Sequence, residues 1–360
     1  MSANTIHDIL AQFRQYTVDQ RGKGDAFERL MAAFLRLDPM FADQFAGVWL
    51  WKDWPGLQAH GFTAQDKGVD LVAEDRDGGF CAIQCKFYGE DQRISMDDLG
   101  TFFMLSGREP FNSRLIISTT DHWGKNADEM LDTQQIRVRR IGLTDLENSV
   151  IDWSAFDVEK PESLRRKTGK QIRPHQESAR GDVLMGFQGH DRGKLIMACG
   201  TGKTYTSLSI MESMVQPGGH VLFLVPSLAL LAQTLREWTA EAHAPLRCYA
   251  VCSDSKVGKE EEDIRVHDLA YPATTDFQKL AKHLNRTSDD GRITVIFSTY
   301  QSIEVVHEAQ KAGCPAFDLV ICDEAHRTAG VAQFDNEKNT LEYSHFVRVH
   351  DNDYIHAQKR

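Results

Sequence analysis

The segment MACGTGKT, residues 197–204, has the residue types and spacing needed to hold a nucleoside triphosphate. Gly200 and Gly202, with Thr201 between them, let the backbone fold back so that successive N–H groups point at phosphate oxygens. Lys203 then reaches the β- and γ-phosphates, and the Thr204 hydroxyl ligates Mg²⁺. Met197 stands where a complete glycine pattern would have its first glycine. Downstream, LVICDEAH at 319–326 sets Asp323 and Glu324 at the end of an apolar run. Asp323 is expected to hold Mg²⁺ and Glu324 to polarise an attacking water, with His326 beside the same nucleotide. Either motif alone is also compatible with a plain turn or an acidic strand end; together they point to ATP and Mg²⁺.

A second constellation lies in KGVDLVAEDRDGGFCAIQCKFY, residues 67–88. Its rhythm is strand, acidic glycine turn, strand, which is a β-hairpin. In the second strand Ala82, Gln84 and Lys86 share one face, because side chains alternate along a strand. The hairpin is expected to bring Asp70 beside Gln84 and Lys86. A carboxylate and an amide oxygen are able to ligate one Mg²⁺, and the lysine ammonium then orients a hydroxide or neutralises phosphorane charge. Such a site hydrolyses phosphodiesters. The alternative is a chance D…QxK pattern with a solvated lysine.

These residues need elements to hold them. Phe27, Leu30, Met31, Phe34 and Leu35 repeat at helical spacing over 25–37. Segments 114–119 and 137–141 read as further strands, the latter carrying three arginines that are either the basic edge of a cleft or a charged strand edge that resists aggregation. A helix is expected near 126–130. Trp49, Trp51 and Trp54 are expected to pack in a core or against a neighbouring domain rather than to stack on bases. Segment 194–197 reads as a short buried strand feeding the phosphate loop, and 205–214 as the helix whose N-terminus receives the phosphates. Runs 221–224, 294–297 and 319–322 read as buried parallel strands.

The chain of 360 residues has room for two domains, each with its own core. A formal charge of −11 excludes a generally basic coat, so any DNA contact has to come from local patches. The densest cationic run is ESLRRKTGK at 162–170, a DNA patch or simply a solvated linker. Seven scattered cysteines fit reduced thiols in a cytoplasmic protein. No apolar run approaches the ~20 residues that span a bilayer.

Read together, the two nucleotide motifs resemble the first RecA-like domain of a superfamily 2 helicase or translocase of the DEAH type. The resemblance implies that Gln176, in RPHQ at 173–176, contacts the adenine base. It also implies DNA contacts at Pro226 and Ser227 after the strand at 221–224, and at Thr299, Tyr300 and Gln301 after the strand at 294–297. The hairpin segment resembles the Mrr-like branch of the PD-(D/E)XK nucleases. In that likeness Asp70 is a metal ligand, Gln84 a ligand replacing the second acid, and Lys86 the catalytic lysine. Glu28 matches an auxiliary acidic residue of some members. Val69 stands where the family name has proline.

The expected fold class is α/β: a PD-(D/E)XK nuclease-like mixed-sheet domain followed by a RecA-like parallel-sheet P-loop domain. The boundaries read as 1–156 for the nuclease, 157–170 for a linker and 171–360 for the ATPase, with a surface insertion at 253–292 and a helix from 276 to 284 capped by Thr274 or Thr275. The residues at 352–360 are expected to begin another helix. Nuclease followed by motor resembles the restriction subunit of type I enzymes and, more closely, the single-chain type ISP restriction enzymes. That resemblance implies duplex DNA as partner and translocation driven by ATP. It further implies a second RecA-like domain, a methyltransferase and a target-recognition domain beyond residue 360, so the chain reads as an N-terminal fragment with slow nucleotide turnover of its own. A repair or other defence helicase-nuclease is the alternative enzyme. A DNA-binding module with a degenerate nuclease site is the alternative without catalysis.

Overall fold

The computed structural model describes residues 5–16, 20–65, 68–76, 78–157, 160, 163–252, 269, 271–285, 291–325, 333–335, 340–342 and 345–360. The chain divides into two compact units, Met1–Thr168 with His267–Ala270 and Gly169–Val266 with Tyr271–Arg360.

In the first unit, helices α1 (Ile6–Tyr16), α2 (Gln20–Leu37) and α3 (Pro39–Ala42) precede strand β1 (Phe45–Leu50). Then come β2 (Leu71–Asp75), β3 (Phe80–Lys86), α4 (Gly100–Ser106), β4 (Phe111–Ser118), α5 (Lys125–Asp132), β5 (Val138–Ile141), α6 (Leu143–Glu147), β6 (Ile151–Asp152) and β7 (Arg165–Arg166). The main sheet has the order β1-β2-β3-β4-β5. Its first two pairings are antiparallel and its last two parallel, a mixed sheet as expected. The β2–β3 turn is tight because Gly78 and Gly79 both take φ of 97°, a region open to glycine at no steric cost. Trp51 and Trp54 are buried with Phe62, Val72, Ala82 and Phe111 on one face of the sheet. The helical stripe of α2 is buried as its spacing required, with Phe27, Leu30, Met31 and Leu35 fully enclosed.

In the second unit, α7 (Pro174–Gly189) and α8 (Lys203–Met214) lead to β8 (His220–Val225), α9 (Leu228–Glu241), β9 (Leu246–Val251), β10 (Ala273–Thr274) and α10 (Phe277–Leu284). After these follow β11 (Ile293–Thr299), α11 (Ile303–Lys311), β12 (Phe317–Cys322), a short antiparallel pair β13 (Gln333–Asp335) and β14 (Thr340–Glu342), α12 (His345–Arg348) and β15 (Ala357–Lys359). The sheet order is β10-β9-β11-β8-β12-β15, all parallel. Both faces are covered, which is why the strands read as unbroken apolar runs. Leu222 and Leu224 pack with residues of α10 and α11. Phe223 turns to the other face and meets Trp238 of α9 at 5.1 Å.

Several sequence expectations are corrected. Lys194 to Met197 form no strand, and Leu195 and Ile196 are 41% and 84% exposed. The neighbouring edge is engaged only just before them, where Gly193 N–H donates to Arg360 O and Arg360 N–H to Asp191 O. A strand requires partners for its backbone groups, and 194–197 have none among the described residues. The 357–359 segment is strand β15, not the start of a helix. Helix α10 is capped by Asp276, whose carboxylate accepts from Gln278 and Lys279 N–H, in place of either threonine.

Of the three arginines at 137–141, Arg137 is exposed, but Arg139 and Arg140 form neither an open basic edge nor a solvated one. Arg139 is buried with Nη1 donating to Gln44 Oε1 at 2.7 Å, and Arg140 pairs with Asp128 at 2.6 Å. Part of the cationic run at 162–170 is likewise committed. Arg165 pairs with Asp152, Lys167 Nζ donates to Ser149 O, and Lys170 pairs with Glu237. Most of the 253–292 insertion lies outside the described residues.

Leu222 is fully buried at the centre of the parallel sheet. Leu222→Ala is expected to destabilise the second unit by ~2–5 kcal/mol. Urea unfolding followed through the fluorescence of Trp238, the single tryptophan of that unit, measures this.

Candidate functional site

The β2–β3 register decides the first site. Leu71 pairs with Ile83, so Asp70, one residue earlier, lies opposite Gln84. Opposed residues of an antiparallel pair share a face, and Lys86 follows Gln84 on it by the period of two. Asp70 is pinned at both ends of its backbone, donating to Ile83 O and accepting from Trp51 N–H. Its Oδ2 accepts from Cys85 N–H at 2.7 Å. Lys86 Nζ donates to Asp98 O at 2.7 Å. Asp98 is itself held by Tyr88 O–H on Oδ1 and by Ser95 on Oδ2.

Gln84 is 4% exposed, and its Oε1 has no hydrogen-bond partner. A buried carbonyl oxygen left empty costs about 1–3 kcal/mol unless something occupies it. Its place on the face of Asp70 fits a cation ligand. No group of three or more His, Cys, Asp or Glu side chains able to hold a metal occurs among the described residues.

Burial governs the charges. Desolvation raises Glu28 to about 7, helped by the negative charges of Asp70 and Asp25. Desolvation also raises Asp70 to about 6, against the Cys85 N–H bond and the Lys86 charge. Burial lowers the Lys86 ammonium. Glu28, on α2, thus belongs to the electrostatic neighbourhood of Asp70. The part of Asp98 and Tyr88 in holding Lys86 was not legible in the sequence, because Asp98 lies in the single 3₁₀ turn Asp97–Leu99, too short for a periodic pattern.

In the second unit, Gly200 and Gly202 take φ of 76° and 84°, and α8 starts at Lys203. The loop therefore presents a helix N-terminus to an anion, as the sequence required. Lys203 Nζ lies 3.8 Å from Glu324 Oε1. Asp323 Oδ1 accepts from Glu324 N–H, and burial raises the Asp323 carboxyl. Among the described residues, Glu324 is the non-glycine residue with a positive φ, 52°. Gln176 is buried, with Oε1 accepting from Arg173 N–H and Nε2 donating to Thr201 O and Gly202 O. A Cβ on Gly202 would come within 2.5 Å of that Nε2. The amide is thus bonded to the phosphate loop itself. His326 lies outside the described residues.

Of the expected DNA contacts, Tyr300 and Thr299 are buried. The Tyr300 hydroxyl donates to Asp323 O, and Thr299 Oγ1 bonds Ser302. Both side chains are thus engaged by protein groups at the end of β11. Ser227 caps α9 by accepting from Leu230 N–H, and Gln301 Nε2 donates to Pro226 O at 3.4 Å. Pro226, Ser227 and Gln301 are therefore brought together at the end of β8.

Residues 36–163 match a family described as restriction endonuclease, and residues 169–349 match one described as type III restriction enzyme, res subunit. Among solved structures, the DNA-bound ATP-dependent type ISP restriction-modification enzyme LlaBIII is 38% identical, with a TM-score of 0.83 over 99% of this chain and 22% of that one. A nuclease-deletion mutant of the type ISP enzyme LlaGI, with a DNA substrate mimic, is 39% identical over 53% of this chain and 17% of that one, with a TM-score of 0.42. The probable helicase A859L of African swine fever virus (isolate Tick/Malawi/Lil 20-1/1983) is 30% identical over 46% of this chain and 17% of its own. The chain thus spans about a fifth of the length of these relatives. No helix among the described residues is long and apolar enough to cross a membrane.

The raised carboxyls have a measurable consequence. Folded Glu28 and Asp70 bind protons more tightly than at their ordinary values of 4.5 and 3.8, so their contribution to stability is complete below those values and is lost as pH rises through about 6 to 7. The metal-free chain is expected to lose thermal stability across that window. Glu28→Gln and Asp70→Asn flatten the loss, as read by unfolding midpoints in chelator.

Proposed function

The chain belongs to the restriction-enzyme family described as type III restriction enzyme, res subunit, and from that membership we propose that it cuts DNA with its first unit and binds ATP with its second. The observation that carries the nuclease reading is the partnerless, buried Gln84 Oε1 on one strand face with Asp70 and Lys86. Asp70 and Gln84 hold Mg²⁺, which when bound lowers the pKa of a water and offsets charge on the phosphate. Lys86, transferred from the Asp98 carbonyl, neutralises the developing phosphorane charge. Glu28, whose carboxyl titrates at about 7, is placed to take and return a proton near neutral pH.

In the second unit the backbone of 200–204 and the Lys203 ammonium bind the phosphates, while Thr204 and Asp323 hold Mg²⁺. Lys203 leaves Glu324 to do so, which frees Glu324 to orient the attacking water. Gln176 keeps the loop in its binding shape and transmits any contact made with the base. His326 is assigned to the nucleotide by the DEAH pattern alone. Pro226, Ser227 and Gln301 are assigned to a DNA strand. The likeness to DNA-bound LlaBIII supports duplex DNA as partner and ATP-driven translocation coupled to cutting in a longer chain of type ISP organisation, with a second RecA-like domain, a methyltransferase and a target-recognition domain. The domain boundaries proposed are 1–156, 157–170 and 171–360, in cytoplasmic protein.

Plasmid nicking by the chain with Mg²⁺ or Mn²⁺ tests the nuclease. Asp70→Ala and Lys86→Ala are each expected to lower the rate by ~10²–10⁴-fold while DNA binding persists; equal nicking by Lys86→Ala and wild type would falsify the assignment. For the second unit, ATP is expected to raise the unfolding midpoint of the wild type and not that of Lys203→Ala. Glu324→Gln retains the ATP-induced rise and loses phosphate release.

A further inference from the structure

A cleft of about 370 Å³ opens at the C-terminal end of β3, lined by Arg14, Lys23, Phe87, Tyr88, Gly89 and Gln92. It begins at the residue after Lys86 and carries two cations and no carboxylate in its lining, in a chain of formal charge −11. Its wall is fixed. Arg14 Nη2 donates to Tyr88 O at 3.1 Å, and the guanidinium lies 5.5 Å from the Phe87 ring centre. Phe87 packs against Phe13 of α1 and Phe27 of α2. Tyr88 N–H donates to Thr119 Oγ1, whose hydroxyl returns a bond to Tyr88 O.

Glu90 stands 3.8 Å from Arg14 Nη1, outside the lining, and is shared with His7. Lys23 is half-buried and has no hydrogen bond or ion pair among the described residues. An arginine anchored on Tyr88 O and an ammonium with no partner among the described residues, lining one cleft, are cations that match phosphate oxygens. The lining begins at Phe87, the residue after Lys86, so the cleft starts where β3 ends.

We propose that this cleft binds a backbone phosphate of the DNA strand being cut, next to the scissile phosphate, through Arg14 and Lys23. The assignment rests on the nuclease reading of Asp70, Gln84 and Lys86. It gives α1 and α2 a binding role that neither family match covers in full, since the restriction-endonuclease match starts at residue 36.

The test is duplex binding by fluorescence anisotropy across a salt series, in the Asp70→Asn chain so that nothing is cut. Lys23→Gln is expected to weaken binding about tenfold, the order lost with a charge-assisted contact. It also makes the slope of log K against log salt shallower by ~0.9, and adding Arg14→Gln doubles that change. Lys125→Gln, at an 87% exposed helix position whose ion partner is Glu129, controls for net charge. Lys23→Gln removes no bond of the wall, so an unchanged unfolding midpoint separates lost binding from lost folding. Affinity and slope equal to those of Lys125→Gln overturn the proposal. So does stabilisation of the chain by inorganic phosphate as large as that by duplex and abolished by Lys23→Gln, which makes the cleft a free-phosphate site. Plasmid nicking by the wild type is read separately and decides the nuclease reading alone.

Discussion

The first unit is organised around a carboxylate kept from water without a cation in contact with it. Asp70 is held by its own backbone between Trp51 and Ile83 and by the Cys85 N–H on its side chain. Lys86, the nearest cation along the strand, is bonded instead to the Asp98 carbonyl. The result is a site with two raised acids and an empty amide oxygen. Everything around it serves that geometry. The mixed sheet fixes the register, the tryptophan-rich core holds the sheet from one face, and α2 brings Glu28 within the field of Asp70.

The second unit solves a related problem with the opposite sign. Phosphates need unpaired N–H groups and a lysine, and both are costly to leave idle in a folded chain. Here the idle state is bridged by protein groups. Lys203 faces Glu324, and Gln176 holds the carbonyls of Thr201 and Gly202. Tyr300 ties the end of β11 to the Asp323 carbonyl, so the strand after which the acidic pair sits is fastened to its neighbours. A residue expected to face DNA thereby becomes part of the frame that sets Asp323.

Chemistry was the most legible part of the sequence. Glycines at 200 and 202 were required by the loop, and both adopt positive φ. The alternation of Ala82, Gln84 and Lys86 placed the site on one face before any register was known, and the Asp-Gly-Gly turn made the hairpin nearly unavoidable. Apolar runs named the buried strands to within two residues of β8, β11 and β12. Less legible were polar residues in or beside strands. Arg139 and Tyr300 look like surface groups by type, yet both are buried, because a long side chain is able to reach a buried acceptor that lies far away in sequence.

The sequence by itself determined which groups are candidates for chemistry and the local conformations that carry them, because periodicity, glycine placement and strand length are properties of neighbouring residues. Only the tertiary structure decided what those groups are worth. The empty oxygen of Gln84, the raised acids at Glu28 and Asp70, the commitment of Gln176 to the phosphate loop and the pairing of the cationic run all depend on burial and on partners tens of residues away. The apolar segment at 194–197 makes the same point from the other side: its composition asked for a strand, but a strand exists only where a second backbone completes it.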